Sequence, residues 1–346
     1  MSTTDLAAFA HGLPKAELHL HLEGTLEPEL KFALAAKNGI TLDQKTVEDV
    51  KASYDFTDLT SFLAVYYPAM QVLQTADDFH DLAWAYLQRA KAQGVVHVEM
   101  FFDPQAHTSR GVPFAEVITG YRRAAVRAQD ELGISAELIL CFLRDFSAEY
   151  AMATLMEALP YKAWIVGVGL DSDERGNPPE KFAAVFARAR AEGFFLTMHC
   201  DIDQVGSIDN IRTVLEDIQV DRIDHGTNIV EDPALVDAAI AKGIGFTTCP
   251  VSNSFVTEQM KSEEIVSLLR KGARVMVNSD DPAYFGGYVG DNYVALAEQA
   301  GLTATDLVQL AINSFEASWL TARRREAFVQ DVRDYAAAAA GVALPV

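Results

Sequence analysis

The stretch AELHLH, residues 16–21, decides the fold, because it begins a series of short apolar segments that alternate with longer helical patterns. Further segments of this kind occupy residues 95–102, 135–142, 163–170, 194–200, 221–226, 244–250 and 273–280. Strands separated by helices in this way are typical of a parallel (β/α)8 barrel, and the alternative is a doubly wound open sheet. The first segment lacks the glycine-rich phosphate fingerprint that follows the first strand of dinucleotide-binding open sheets. We therefore predict an α/β protein that forms a single (β/α)8 TIM barrel.

The length of 346 residues, half of them hydrophobic, suits one large barrel, and we interpret residues 1–346 as a single domain. Residues 25–94 are too many for one crossover helix and contain several aromatic helical patterns. An insertion after a barrel strand lies over the active-site face, so we predict a helical lid there, with additional core packing as the alternative. Residues 335–346 are rich in alanine and are predicted to form a tail after the last helix.

The formal net charge of −21 makes nucleic acid and anionic membrane surfaces poor partners and favours a small neutral substrate. No segment has the roughly 20 apolar residues of a membrane span, and the first 15 residues do not resemble a signal peptide. The three cysteines form no CxxC pair, which is typical of a reducing compartment. We expect a cytoplasmic protein, and the sequence leaves open whether it forms a homo-oligomer.

Polar side chains collect where four of the predicted strands end: His19 and His21, His199, His225 and Asp280. Barrel enzymes keep their chemistry at this end of the strands. Burying so many titratable groups costs several kcal/mol each unless something pairs them, and a divalent cation does so. Imidazole and carboxylate ligands without a thiolate favour zinc, with iron, manganese or cobalt as alternatives.

Several motifs resemble the adenosine and adenine deaminase branch of the amidohydrolase superfamily. They are PKAELHLHLEGTLEPE (14–29), VEMFFDPQAHTSRG (98–111), RIDHG (222–226) and VNSDDPAYFGGY (277–288). The second and fourth motifs, and the glutamate of HLEG, are more similar to adenine deaminases than to adenosine deaminases. The resemblance covers most of the chain and implies a metal-dependent hydrolase.

The resemblance also implies a role for each matching residue. One zinc ion per chain would be held by His19, His21, His199 and Asp280, with iron or manganese as alternatives. His225 would lie beside the attacking water. Asp281, Glu23 and the backbone N–H of Ser172 would contact the substrate, Asp281 at N7 of the purine and Ser172 at N3.

The implied reaction is hydrolytic deamination at C6 of adenine or an N6-substituted adenine, giving hypoxanthine and ammonia or an amine. An adenosine deaminase is one alternative, and a metal hydrolase of another substrate class, such as an amidase, is a second. A third alternative, from another functional class, is a non-catalytic relative that binds a purine and a metal.

The family's proton shuttle is where the sequence departs from the pattern. The family has HAGE at the end of strand five, and its glutamate protonates N1 and the leaving group. Here the stretch reads HCDID (199–203), so Ile202 stands in the place of the glutamate. Asp201 and Asp203 flank it, and either is a candidate for the missing acid. We favour Asp203 because the loop is about two residues longer than expected.

Overall fold

The computed structural model describes residues 3–200, 206–257 and 259–339, together with residues 342 and 344. Within these residues, parallel strands pair in chain order from β1 to β8 and form one sheet. The strands are β1 Lys15–Glu17, β2 Val95–Phe102, β3 Ser135–Leu143, β4 Ile165–Asp171, β5 Phe195–Cys200, β6 Arg222–His225, β7 Gly245–Thr248 and β8 Arg274–Val277. This arrangement confirms the predicted α/β barrel.

The barrel closes beyond the regular ends of β1 and β8. Leu20 and Asp280 form an isolated parallel bridge, in which the His21 N–H donates to the Asp280 carbonyl at 3.0 Å. The Asp280 N–H in turn donates to the His19 carbonyl at 3.1 Å. β1 itself ends at Glu17, so the two histidines follow a strand shorter than the predicted 16–21.

Helices surround the sheet and fill the long first crossover. They are α1 Thr3–Gly12, α2 Pro28–Lys37, α3 Val47–Ala52, α4 Leu59–Ala69, α5 Ala76–Ala92, α6 Pro104–Thr108, α7 Phe114–Glu131, α8 Ala148–Ala158, α9 Ala183–Ala191, α10 Ser207–Arg212, α11 Pro233–Lys242, α12 Pro250–Val256, α13 Ser262–Arg270, α14 Pro282–Phe285, α15 Val289–Ala300, α16 Ala304–Glu316 and α17 Ala322–Ala338. Single 3-10 turns occupy Glu23–Thr25, Met70–Val72, Leu159–Trp164, Pro179–Phe182 and Thr227–Glu231, and a π-helical turn occupies Thr213–Ile218. α17 extends past residue 335, where the tail was predicted to begin. None of the described helices is both long and apolar enough to cross a membrane.

The local sequence explains both kinds of element. The middle of β3 is a continuous apolar run, Leu138 to Phe142, and it is fully buried, as expected of a parallel strand covered on both faces. α11 begins where the Asp232 carboxylate accepts hydrogen bonds from two backbone N–H groups of the first turn. It ends at Gly243, whose φ of 70° suits glycine.

A buried ion pair fills the N-terminal end of the barrel. The Arg222 guanidinium at the start of β6 donates to the Glu99 carboxylate of β2 at 2.5 Å, and both side chains are buried. The Trp319 backbone N–H also donates to Glu99, at 2.6 Å, and the Trp319 ring lies 4.1 Å from the Arg222 guanidinium carbon. Burial alone would raise the pKa of Glu99, but Arg222 and His97 lower it below its usual range.

We predict that Arg222→Leu lowers the free energy of unfolding by about 3–5 kcal/mol, because it leaves the Glu99 carboxylate buried without its cation. Chemical denaturation would measure the change. Arg188→Leu removes the exposed helical pair with Glu192 and is the matched control, with an expected change within about 0.5 kcal/mol. Adding Glu99→Gln to Arg222→Leu should restore part of the loss. A loss below about 1 kcal/mol for Arg222→Leu would contradict this account of the ion pair.

Candidate active site

Two histidines follow β1 on the same face of the chain. Leu18, Leu20 and Leu22 alternate with them and are fully buried in the core. The Nδ1 atom of His19 lies 2.8 Å from the Thr247 hydroxyl, and its Nε2 atom lies 3.2 Å from an Asp280 carboxylate oxygen. The alternation therefore directs both imidazoles into the mouth of the barrel.

His199, at the end of β5, completes a group of imidazoles around Asp280. Its Nδ1–H donates to the Leu170 carbonyl at 3.0 Å, which leaves a lone pair on Nε2. That Nε2 atom lies 3.1 Å from Nε2 of His21. One oxygen of Asp280 lies 3.4 Å from the same His21 atom, and its other oxygen accepts a hydrogen bond from the Ser252 hydroxyl at 2.6 Å.

These residues fit a divalent cation. Ligand atoms of His19, His21, His199 and Asp280 all lie within 4.8 Å of one another, and all four side chains are buried. Nε2 of His19 has no hydrogen-bond partner within the described part of the chain. A tetrahedral zinc site places imidazole nitrogens roughly 3.4 Å apart, close to the separation of the His21 and His199 nitrogens. The four residues are therefore arranged as three nitrogen ligands and one oxygen ligand.

The electrostatics of the cluster also suit a cation. Burial lowers the pKa of His21 to about 4 and, with the neighbouring imidazoles, lowers that of His199 well below its usual range. Burial would raise the pKa of Asp280, but His19, His225 and His21 hold it well below its usual range. Burial also lowers the pKa of His19, yet Asp280 and Asp224 raise it more, so the net shift is upward. A cation would take the place of the proton that this upward shift favours on His19.

Asp224 lies close to two imidazoles of the cluster. Its buried carboxylate accepts hydrogen bonds from the Thr247 and Thr197 hydroxyls at 2.8 and 2.6 Å. It lies 3.9 Å from Nδ1 of His19 and 3.6 Å from Nδ1 of His199. The sequence placed Asp224 at the end of strand six, but nothing in its spacing indicated that it would support two imidazoles of other strands.

Three residues of the site have a positive backbone φ, which sets the direction of their side chains. Ser172, His225 and Asp280 follow or end β4, β6 and β8 with φ values of 72°, 53° and 64°. Positive φ is uncommon outside glycine and clusters at functional sites. The sequence carried no signal for these conformations, because none of the three is a glycine.

His225 lies next to the cluster and faces the same cavity. Its Nε2 atom lies 3.7 Å from Asp280, and burial lowers its pKa to about 4. Its Nδ1 atom makes no hydrogen bond to a described residue. His225 is therefore a neutral imidazole that can accept a proton.

Asp281 is buried beside Asp280, and its Oδ1 atom has no hydrogen-bond partner among the described residues. Burial and the Asp280 carboxylate raise the pKa of Asp281 well above its usual range. It is therefore a neutral acid that can donate a proton to a ring nitrogen. Gly24 makes room for it, since a Cβ atom at that position would lie 2.0 Å from the Asp281 oxygen.

The structure places Ser172 in the cavity wall but does not bring Glu23 there. The Ser172 hydroxyl accepts a hydrogen bond from Tyr67 at 2.7 Å and donates to Asp145 at 2.9 Å. Glu23 is fully buried, and its carboxylate accepts hydrogen bonds from His107 and Tyr121, both at 2.9 Å. Both donors bind Oε1, and Oε2 of Glu23 has no hydrogen-bond partner among the described residues. A contact between Glu23 and the substrate therefore stays a prediction.

The cavity joins the polar cluster to an aromatic wall. Its lining comprises His21, Leu59, Phe62, Leu63, Tyr66, Tyr67, Asp103, Asp171, Ser172, His199, His225, Ser252, Val256, Asp280, Asp281 and Phe285. The residues from Leu59 to Tyr67 belong to α4, in the insertion where a lid was predicted.

Two acids of the cavity, Asp103 and Asp171, were not predicted as site residues. Both lie at the ends of strands, the same position from which the histidines were predicted. Asp201 and Asp203, the two candidate acids, lie outside the described residues.

Comparison with known proteins gives matches over nearly the whole chain. The family model described as adenosine deaminase matches residues 14–335. An adenine deaminase of Geotalea uraniireducens is 49% identical over 334 residues, covering 96% of this chain and 94% of the relative.

Two solved structures extend the likeness to three dimensions. An adenine deaminase of Arthrobacter aurescens is 42% identical with a TM-score of 0.91, covering 94% of this chain and all of that one. An amidohydrolase of Burkholderia ambifaria with bound zinc is 27% identical with a TM-score of 0.88, covering 96% of this chain and 93% of that one.

We predict that His21→Ala and Asp280→Ala lose bound metal, falling below about 0.2 equivalents per chain after dialysis, because each removes a direct ligand. Elemental analysis of the purified variants would measure this. Asp281→Asn changes the adjacent buried acid, which is outside the four-residue cluster, and is expected to keep its metal. Full metal content in Asp280→Ala would overturn the assignment of the ligands.

Proposed function

The chain belongs to the adenosine deaminase family, and on that premise we propose that it hydrolyses the C6 amino group of adenine to give hypoxanthine and ammonia. The predicted family, and with it the class of purine deaminase, is confirmed by the family match and the adenine deaminase relatives. The observation that carries the proposal is the buried cluster of three histidines and an aspartate. It opens into a cavity lined by a buried acid, Asp281, whose Oδ1 atom has no hydrogen-bond partner among the described residues.

Zinc is the metal we propose for the cluster. Three imidazoles and one carboxylate without a thiolate suit zinc, and the Burkholderia relative contains it. When bound, such a metal lowers the pKa of water to about 7 and makes it a nucleophile at neutral pH. His19, His21, His199 and Asp280 would hold it.

The residues around the cluster would position the two reactants. His225, neutral because of its burial, would accept a hydrogen bond from the attacking water and keep it in line with C6. Asp281, neutral for the same reason, would donate a hydrogen bond to N7 and anchor the five-membered ring. The backbone N–H of Ser172 would bind N3, on the opposite edge of the base.

An acid must still protonate N1 and the departing amine, and we propose that Asp203 or Asp201 supplies it. The described carboxyls that line the cavity belong to segments that follow or end β2, β4 and β8, and β5 contributes only His199 among the described residues. The acids of HCDID directly follow β5. Asp203 remains the favoured candidate, on the loop length noted in the sequence.

The proposed activity is tested by loading the purified protein with zinc and following the ultraviolet spectra of candidate substrates. Adenine should be converted to hypoxanthine. Adenosine tests the nucleoside alternative, and N6-methyladenine and longer N6-alkyladenines test the substituted substrates. Absence of turnover of every purine by metal-loaded protein would overturn the enzyme proposal and favour the non-catalytic alternative.

We predict that Asp203→Asn lowers kcat by at least tenfold while metal content is unchanged, because general acid–base catalysis contributes ~10²–10⁴-fold. Steady-state kinetics with adenine, paired with elemental analysis, would measure both quantities. Asp201→Asn is the matched control, two positions away with the same change of charge, and should lower kcat less. If Asp201→Asn has the larger effect, the acid is Asp201.

A further inference from the structure

Asp103 is a buried acid that faces the cavity, and one of its oxygens accepts no N–H or O–H hydrogen bond within the described part of the chain. It directly follows β2 and is 1% exposed. Its side chain lines the cavity together with Asp171 and Ser172. Its Oδ1 atom accepts no hydrogen bond from an N–H group or a hydroxyl of the described residues, and the neighbouring Asp171 carboxyl can share a proton with Asp103. A buried carboxyl oxygen in this state costs free energy unless a ligand pairs it.

The surroundings fix this acid in place. The Asp103 backbone N–H approaches the Glu23 carboxylate at 3.4 Å, and Glu23 is itself held by His107 and Tyr121. The residue directly precedes α6, in which the Gln105 side chain accepts a hydrogen bond from the Leu143 N–H of β3 at 2.9 Å. Asp103 therefore presents its oxygen from a rigid strand end, as a recognition group requires.

The order of the strands places Asp103 beside a particular edge of the base. Asp281 follows β8 and Ser172 follows β4, and the proposed function assigns them to N7 and N3. Between these strands the sheet runs through β1, β2 and β3, with β8 joined to β1 by the Leu20–Asp280 bridge. Around a purine, the path from N7 to N3 passes through C8, N9 and C4. A group that follows β2 therefore faces N9.

We propose that Asp103 accepts a hydrogen bond from the N9–H of a free purine base and so selects the base against its nucleosides. This inference rests on the proposed function, since it uses the orientation assigned there. In a nucleoside, N9 carries a sugar and has no hydrogen to donate. The sugar would meet the Asp103 side chain and leave its oxygen buried without a partner. Sites that lose a buried hydrogen bond in this way reject the deficient analogue by several orders of magnitude.

The test compares adenine with 9-methyladenine, which lacks the N9–H but keeps the reacting amino group. The zinc-loaded wild-type protein should favour adenine in kcat/KM by at least ~10²-fold. In Asp103→Ala, kcat/KM for adenine should fall by about 10–100-fold, mainly through KM, because a hydrogen bond to a buried acid is lost. The value for 9-methyladenine should stay the same or rise, so the preference for adenine should fall at least tenfold.

Two further variants separate recognition from structural damage. Asp103→Asn keeps an oxygen that can accept the N–H, and it should retain most of the preference for adenine. Tyr67→Phe removes a cavity-lining hydroxyl that already has a partner, Ser172, and should change both substrates in the same proportion. Calorimetric binding of hypoxanthine and 9-methylhypoxanthine gives the same comparison without turnover.

The outcomes distinguish this inference from the proposed function. If adenine is deaminated but Asp103→Ala keeps the wild-type preference in both kinetics and product binding, the inference alone is overturned. If no purine is deaminated or bound, the proposed function fails and the inference fails with it. Two metal equivalents in the wild type and one in Asp103→Ala would assign Asp103, with His21 and Asp171, to a second cation and would also overturn the inference.

Discussion

Two backbone hydrogen bonds between the ends of β1 and β8 both close the barrel and assemble the candidate metal site. The residues that make them, His19, His21 and Asp280, are three of the four residues that could hold a cation. Closure of the sheet therefore brings together ligands that lie about 260 residues apart in the chain. A shift of one residue in this register would turn the imidazoles away from the cavity and the leucines into it.

The buried carboxyl groups at the two ends of the barrel have different surroundings. At the N-terminal end, Glu99 is neutralised by an arginine of the chain itself, and the pair is closed off by Trp319. At the C-terminal end, Asp103 and Asp171 line a cavity, and burial raises the pKa of both, that of Asp171 to about 7. No arginine or lysine of the described residues forms an ion pair with them, and the Asp171 carboxyl lies 3.4 Å from Nδ1 of His21. These two acids are therefore candidates for contact with a ligand or a cation.

The sequence predicted the barrel from simple periodicity. It predicted the four residues of the candidate metal site from the strand ends together with the family resemblance. Strands such as β2 matched the predicted residues 95–102, and polar residues at strand ends meet at one rim. It did not reveal that His107 and Tyr121 both donate to one oxygen of Glu23, because these two residues come from distant segments. Nor did it reveal the positive φ of His225 and Asp280, which tertiary contacts impose on residues that ordinarily avoid it. The acids of HCDID stay a prediction from sequence.

Gly24 shows that the position of Asp281, the proposed contact to N7, also depends on a residue with no side chain. The Asp281 carboxyl rests against the glycine backbone so closely that even an alanine methyl would displace it. A mutational library restricted to charged and aromatic positions would miss this determinant. In directed evolution of the substrate range, a substitution at position 24 would shift the proposed N7 contact without altering Asp281 itself.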